Sequence, residues 1–184
     1  IGVDAGKLAA KVRALHEFNP MLGHRGCRLG ITFPEVYEMQ VRAIVEAAVI
    51  VAREGDKVIP EIMVPLVGLR SELALLRTMI VRVADAVLAE AGTRVPYTVG
   101  TMIEVPRAAL TAAAVAEVSD FFSFGTNDLT QMAFGFSRDD APKFLRAYID
   151  THVLQHDPFE TNDVEGVGQL VRMATEEGRR AKQG

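Results

Sequence analysis

Two acidic residues, Glu104 and Asp128, each follow a short apolar run that predicts a buried strand. Residues 97–103 precede Glu104, and residues 120–124 lead into the Gly-Thr-Asn-Asp turn at 125–128. Parallel strands joined by a right-handed crossover end at the same edge of their sheet, so the two carboxylates should meet there. A hard divalent cation prefers such oxygen ligands, one or two carboxylates together with substrate oxygens. The sequence therefore predicts an Mg²⁺ site held by Glu104 and Asp128.

Each acidic residue also has a purely structural interpretation, which the residues alone leave open. Glu104 could be an acid that offsets the macrodipole of the following helix, and residues 126–128 could be ordinary helix caps. A glycine-led turn at a helix N-terminus nevertheless offers backbone N–H groups to a phosphate, and Asn127 would add a side-chain donor. The turn is therefore a candidate for both metal and phosphate binding.

A glycine-rich segment at residues 19–30, NPMLGHRGCRLG, is the other candidate for ligand binding. Its glycines are interleaved with arginines, which predicts a loop that brings backbone and guanidinium groups close to an anion. Arg25 is a candidate clamp for a phosphate or a carboxylate, whereas Arg28 is equally compatible with a solvated loop. Cys27 is interpreted as a small buried thiol and not as a nucleophile.

The elements that must position these residues alternate between strand and helix. Apolar spacing, prolines and glycines predict strands at 61–64, 97–103 and 120–124, and helices at 4–18, 34–53, 71–90, 106–117 and 163–182. The expected helix N-caps are Asp4, Thr32 or Phe33, and Ser71.

Two further placements follow from the same patterns. Met63 and Met102 lie in apolar runs and are expected in the core. A short helix should follow Asp128 and end in a polar turn at 137–140, from which Arg138 is expected to reach back toward the carboxylates.

The alternation of strands and helices continues to residues 163–182, which predict a crossover helix. Such a helix requires a further strand after it. A parallel sheet also needs helices on both faces or closure into a barrel. The pattern predicts an α/β fold, a partial (β/α)₈ TIM barrel, with one partial domain over residues 1–184.

Composition narrows the class of protein. A chain of 184 residues has the length of one domain, and 20 basic against 24 acidic residues, with no basic block, predict no nucleic-acid partner. The longest apolar runs are interrupted by charges and no signal-peptide pattern is present, so we expect a cytoplasmic protein without membrane attachment. One cysteine excludes an internal disulfide framework, and the histidines lack metal-ligand spacing.

Four ordered motifs resemble the phosphoenolpyruvate (PEP)-utilising enzymes: NPMLGHRGCRLG, PEIMVPLVG, GTMIEVPRAAL and FFSFGTNDLTQMAFGFSRDDAPKFL. The residues of these motifs are most similar to those of the C-terminal domain of the pyruvate, phosphate dikinases. The resemblance covers nearly the whole chain. It implies the central portion of a PEP/pyruvate-binding (β/α)₈ barrel. The implied enzyme interconverts ATP, phosphate and pyruvate with AMP, diphosphate and PEP.

The resemblance also implies roles for six matched residues: Arg25, Glu104, Gly125, Thr126, Asn127 and Asp128. Glu104 and Asp128 would hold Mg²⁺, which would also bind the substrate carboxylate and enolate oxygen. Arg25 and Asn127 would grip the phosphoryl group, and the first two residues of the turn would contact the substrate.

Parts of the family's machinery lie outside this sequence. The family carries the phosphoryl group on a histidine of one domain and binds ATP in another, so these domains are the implied partners, together with a possible second copy. The resemblance implies that the family's catalytic cysteine would lie beyond Gly184, and Cys27 sits in a different motif. We therefore expect this chain alone to be inactive. Two alternatives to a dikinase function are considered. The first is an Mg²⁺-dependent pyruvate-enolate lyase or aldolase, which would not need the phosphate donors. The second is a non-catalytic remnant.

Overall fold

The computed structural model describes residues 4–16 and 22–182. These ranges contain a parallel three-stranded sheet of order β1-β2-β3. The strands are β1 (Glu61–Val64), β2 (Thr98–Ile103) and β3 (Phe122–Phe124). The helices are α1 (Ala5–Ala14), α2 (Cys27–Thr32), α3 (Pro34–Arg53), α4 (Arg70–Ala91), α5 (Pro106–Leu110), α6 (Ala112–Ala116), α7 (Thr126–Phe134), α8 (Pro142–Asp150) and α9 (Val167–Ala181). The predicted α/β class is confirmed.

The two faces of the sheet have different surroundings. Ile62 and Val64 of β1 point into the core, and Val99 and Ile103 of β2 are fully buried. Met63 points to the opposite face and is 38% exposed, so its expected place in the core is wrong. The reason is the two-residue period of a strand, which sends alternate side chains to opposite faces.

The largest part of the core lies between the sheet and helices α3 and α4. Leu73, Leu76 and Ile80 of α4 recur at helical spacing and are almost completely buried, and Val41 and Val45 of α3 pack in the same cluster. Burying one such side chain contributes about 1.5–3 kcal/mol. This packing fixes the helices that precede and follow β1.

Helix α4 begins differently from the prediction. Its N-cap is Leu69 and not Ser71, because the side chain of Glu72 accepts the backbone N–H groups of Gly68 and Leu69, both at 2.8 Å. An acid at this position can satisfy those donors in place of a capping hydroxyl. The helix ends at Gly92, as predicted, in the left-handed conformation.

The predicted helix at 106–117 is two short helices. The backbone of Thr111 leaves helical geometry between α5 and α6, and its hydroxyl donates to the carbonyl of Arg107 at 2.9 Å. A threonine that bonds back in this way often bends a helix. Ala108, Ala109 and Ala112 are fully buried in a cluster with Ala174 of α9, so small side chains allow these helices to approach.

Part of the glycine-rich segment is helical and not a loop throughout. Residues 19–21 lie outside the described residues, but α2 starts at Cys27 and contains Gly30. A Cβ on Gly30 would lie 2.7 Å from the ring of Tyr37, so this glycine permits close helix packing. Gly30 therefore indicates close packing between helices and not a loop.

The first and last helices are close to their predicted positions. Asp4 caps α1 as predicted by accepting the N–H of Lys7 at 2.9 Å, while the predicted end of this helix at residues 17–18 lies outside the described residues. Asp163 accepts the N–H of Val167 at 3.1 Å, so α9 starts after this residue and not at it. Phe33 is the N-cap residue of α3, one of the two alternatives predicted.

None of the helices in the described ranges is both long enough and apolar enough to cross a bilayer.

Candidate functional site

Glu104 follows β2 directly and is buried, with 3% of its surface exposed. Its Oε1 accepts the backbone N–H of Leu66 at 2.6 Å. Burial raises the pKa of Glu104 to about 7; the Leu66 N–H acts in the opposite direction, and the neighbouring Asp128 side chain adds to the rise. A buried carboxyl beside a second one favours a bound proton or a bound cation.

Asp128 lies in the first turn of α7, just after β3, and is 9% exposed. The Asp128 side chain helps to raise the pKa of the neighbouring Glu104, and its Oδ2 is 3.6 Å from Nη2 of Arg25. The structure thus brings together three of the residues that the sequence singled out. They meet at the carboxyl end of parallel strands, where ligands bind in α/β folds.

Gly125 allows the two carboxyl groups to approach. A Cβ at this position would lie 2.7 Å from both Cβ and Oε2 of Glu104 and from Sδ of Met102. Those distances are too short for any side chain, so only glycine lets the N-terminus of α7 pack against Glu104. Gly125 therefore has a steric role against Glu104 in addition to its place in the turn at 125–128.

The loop that carries Arg25 is attached to the loop after β1. The backbone N–H of Cys27 donates to the carbonyl of Pro65 at 3.0 Å, and its thiol donates to the carbonyl of Leu66 at 3.1 Å. Cys27 is fully buried, and burial raises its pKa to about 11. The thiol is therefore buried, as its interpretation from the sequence predicts.

Gly26 and Arg28 complete that attachment. Gly26 has φ of 59°, and a Cβ there would lie 3.0 Å from Leu66 and from the carbonyl of Pro65. Arg28 donates to the carbonyls of Leu22 and Gly23 at 2.9 and 2.8 Å. The Arg28 guanidinium therefore holds the backbone just before Arg25. The alternative that Arg28 is only a solvated loop residue is wrong.

Thr126 and Asn127 are exposed in the first turn of α7, beside the carboxyl pair. The first N–H groups of a helix lack partners within that helix and favour anions. Arg138 contacts this region through its backbone N–H, which donates to Oε1 of Gln131 at 2.9 Å. The contact shown is therefore not the guanidinium contact expected from the sequence.

Gln131 was not singled out by the sequence analysis. It is 6% exposed, and its Nε2 donates to Oδ1 of Asp128 at 3.2 Å. Residues three apart on a helix share a face, so the spacing between Asp128 and Gln131 was a signal that could have revealed this contact.

A cavity of about 320 Å³ adjoins Asp128 and is lined in part by Asp128, Gln131 and Phe136. A larger cavity, of about 450 Å³, lies between β3 and α9 and is lined in part by Phe122 and Arg179. Neither carboxylate contributes to the larger cavity. Of these two cavities, the smaller one is therefore in contact with the candidate site through Asp128.

The donors present fit a hard divalent cation. Glu104 and Asp128 supply carboxylate oxygens, and the described residues contain no group of three or more histidines, cysteines and acids that could form a complete metal cage. A magnesium ion commonly takes one or two protein carboxylates and completes its shell with water and substrate oxygens. The site thus has the chemistry for a cation shared with an anionic ligand.

An α/β fold with paired buried carboxyl groups and an arginine at the carboxyl end of its strands has the features of a domain that binds an anion together with a cation. The chain belongs to the family described as PEP-utilising enzyme, PEP-binding domain, whose sequence model matches residues 1–182.

Three relatives show how far the similarity extends. The chain is 58% identical over 183 residues to pyruvate, phosphate dikinase of Rhizobium meliloti (strain 1021), covering 99% of this chain and 20% of the relative. It is 55% identical over 185 residues to the enzyme of that name from Clostridium symbiosum, covering 100% and 21%. It is 59% identical over 180 residues to the chloroplastic enzyme of Flaveria trinervia, covering 98% and 19%. The chain spans about one fifth of the length of these relatives.

Proposed function

We propose that this chain is the PEP/pyruvate-binding portion of a pyruvate, phosphate dikinase. Residues 1–184 would form one partial domain, the central portion of a (β/α)₈ barrel. Identity of 55–59% over almost the whole chain supports the enzyme class. Parallel strands in sequential order, separated by helices, support the barrel, since neighbours in a barrel sheet follow one another in sequence.

Glu104 and Asp128 are the proposed Mg²⁺ ligands. The observation that carries the proposal is the burial of both carboxyl groups at the ends of neighbouring strands, with Arg25 beside Asp128. When bound, the ion would act as a Lewis acid toward the enolate oxygen of pyruvate. Glu104 would be held for this role by the Leu66 N–H, and Asp128 by its place in the first turn of α7.

Arg25 and the N-terminus of α7 are the proposed binding groups for the phosphoryl oxygens of PEP. The guanidinium already lies beside a carboxylate, so a phosphoryl group that approaches the cation would meet a positive charge. Asn127 would add an amide donor, and Gly125 and Thr126 would contact the substrate through the turn. These groups favour phosphoryl transfer over a lyase, which does not need phosphate donors.

The remaining steps would belong to other parts of a longer protein. A phosphohistidine domain would deliver the phosphoryl group, an ATP-binding domain would load it, and a second copy of the chain is a further candidate partner. The relatives are about five times as long as this chain, which leaves room for such domains. We therefore expect no turnover of ATP, phosphate and pyruvate by the 184-residue chain alone.

Oxalate, a mimic of the pyruvate enolate, tests the ligand assignment directly. Calorimetric titration should show Mg²⁺-dependent oxalate binding to the chain and at least about tenfold weaker binding to Glu104→Gln and Asp128→Asn. Glu90→Gln is the matched control, because Glu90 is an exposed carboxylate on α4 paired with Arg42. Oxalate binding that is equal in all four proteins would exclude Glu104 and Asp128 as ligands.

A chimera tests the enzyme class. The corresponding residues of the Rhizobium meliloti relative would be replaced by this chain, which is 58% identical to them. We expect the chimera to form PEP from pyruvate, ATP and phosphate, and the Asp128→Asn chimera to lose this activity. A folded chimera without activity would contradict the proposed class, and turnover by the chain alone would contradict its inactivity.

A further inference from the structure

Gln131 is a buried polar side chain whose two ends have different partners. Its Nε2 donates to Oδ1 of Asp128 at 3.2 Å, and its Oε1 accepts the backbone N–H of Arg138 at 2.9 Å. A carboxylate only accepts and a backbone N–H only donates, so the two partners together fix which end of the amide is nitrogen. The side chain is 6% exposed, and this arrangement satisfies both ends of its amide group.

The backbone of Gln131 also fixes the end of α7. Its carbonyl accepts the N–H groups of Gly135 and Phe136, and Gly135 has φ of 67° in the left-handed conformation. This glycine turns the chain so that Arg138 returns to the Gln131 side chain. The amide therefore lies between a fixed turn and the carboxylate of Asp128.

The two oxygens of Asp128 face different groups. Oδ1 accepts from Gln131, and Oδ2 faces the guanidinium of Arg25 at 3.6 Å. A carboxylate on a helix could otherwise rotate about its terminal torsion, which has a broad energy well. The Gln131 amide restrains this torsion through Oδ1, on the side of the carboxylate away from Arg25.

We propose that Gln131 is a positioning residue that holds the Asp128 carboxylate in the orientation required to bind a divalent cation. This inference rests on the proposed role of Asp128 as a metal ligand. Hydrogen-bond partners of ligating side chains commonly change metal affinity by about 10–100-fold when they are removed. Gln131 would act through Asp128 and would not contact the cation itself.

Mn²⁺ binding, followed by electron paramagnetic resonance, tests the inference on the 184-residue chain. Gln131→Met keeps the length of the side chain and removes both hydrogen bonds. We expect its Kd for Mn²⁺ to rise by about tenfold or more. Gln131→Asn, which keeps an amide but is too short to reach both partners, should weaken binding in the same direction and serves as the second variant if the methionine is poorly tolerated.

Thr101→Val is the matched control. The Thr101 hydroxyl is fully buried and donates to the carbonyl of Val64 at 2.7 Å, so valine removes a buried hydrogen bond of β2 without touching Asp128. If Gln131 were merely structural, Gln131→Met would resemble Thr101→Val, with a lower Tm and unchanged Mn²⁺ affinity. That result would overturn the inference.

Glu104→Gln separates the inference from the proposed function. Loss of Mn²⁺ binding in Glu104→Gln, together with wild-type affinity in both Gln131 variants, would overturn the positioning role and leave the metal site standing. No Mn²⁺ binding by the wild type, or equal binding by Glu104→Gln, would overturn the metal site and the positioning role with it.

Discussion

The backbone N–H of Leu66 donates to Oε1 of Glu104, with 2.6 Å between nitrogen and oxygen. Leu66 is buried and has φ of 59°, a conformation that is strained for a residue with a Cβ. Its carbonyl accepts the thiol of Cys27, so the peptide groups on both sides of this residue are held by the site. The position of the Glu104 carboxylate therefore depends on the loop after β1 as well as on β2.

The raised pKa of Glu104 gives the metal-free protein a distinct pH dependence. Since the folded-state pKa of about 7 lies above the ordinary value of 4.5, the stabilisation from this group is complete below the ordinary value and is lost as pH rises through about 7. Glu104→Gln keeps the oxygen that accepts the Leu66 N–H but cannot ionise. We expect its free energy of unfolding, relative to wild type, to increase from about pH 5 to about pH 8, by up to a few kcal/mol, since each pKa unit is worth about 1.4 kcal/mol.

Urea unfolding in the presence of a chelator measures this difference. Saturating Mg²⁺ is the control, because a ligand that binds only the folded state stabilises it and should favour wild type over Glu104→Gln at high pH. A stability difference that stays constant across the pH range would show that Glu104 is not buried as a protonated acid.

Arg25→Met should separate phosphoryl binding from metal binding. The guanidinium lies beside Asp128, so its removal takes away a competing cation while leaving both carboxylates. We expect PEP affinity to fall by about 10–100-fold, in line with about 1.5–3 kcal/mol for hydrogen bonds to charged groups, and Mg²⁺-dependent oxalate affinity to be retained. Calorimetry with both ligands measures the contrast.

Arg146→Met is the control for this change, because Arg146 lies on α8 with a side chain that is 90% exposed. Equal losses of PEP and oxalate affinity in Arg25→Met would indicate a collapsed site and would contradict a specific phosphoryl role.

Gly125→Ala should damage the site through sterics alone. The added Cβ would lie 2.7 Å from Cβ and Oε2 of Glu104, so either the carboxylate or the start of α7 must move. We expect a lower Tm and Mn²⁺ affinity weakened by at least about tenfold, as for other changes that displace a metal ligand. Gly168→Ala is the control, because its Cβ would lie 3.5 Å or more from its neighbours within α9. Wild-type Mn²⁺ affinity in Gly125→Ala would contradict the packing described.

Asp120→Ala should destabilise the fold without reporting on the ligand site. The Asp120 carboxylate accepts two hydrogen bonds from Arg77, at 2.8 and 3.0 Å, and the backbone N–H of Val99 at 2.9 Å. We expect a loss of about 1–3 kcal/mol in the free energy of unfolding, since hydrogen bonds to a charged group are being broken.

Glu90→Ala is the comparison for Asp120→Ala. Glu90 also pairs with an arginine, Arg42, but both side chains are more exposed, at 60% and 43%, and exposed pairs contribute about 1 kcal/mol or less. Equal losses in the two variants, measured by urea unfolding, would show that the Arg77 network adds nothing beyond a surface ion pair.

Local sequence was enough to place the strands. The β1 bounds agree with the prediction, and β2 and β3 fall within the predicted ranges 97–103 and 120–124. Short apolar runs bounded by proline, glycine and acidic residues indicate where each strand starts and ends, because these signals lie in the strand itself and in the residues next to it. Local sequence failed at Thr111, whose hydroxyl bonds back to Arg107 where the predicted helix divides, and at Gly30, which lies in helix α2 against the ring of Tyr37.

The sequence by itself determined the family, the α/β class and the placement of Glu104 and Asp128 at strand ends, because motifs, apolar periodicity and right-handed crossover act on the order of residues along the chain. Only the tertiary structure decided that Arg25 faces Asp128, that Leu66 holds Glu104 and that Gln131 ties Asp128 to the turn at Arg138. The physical reason is that these contacts depend on tertiary packing. Packing sets the distance between side chains that are far apart in the chain, and it also selects the rotamer of each side chain and its hydrogen-bond partners.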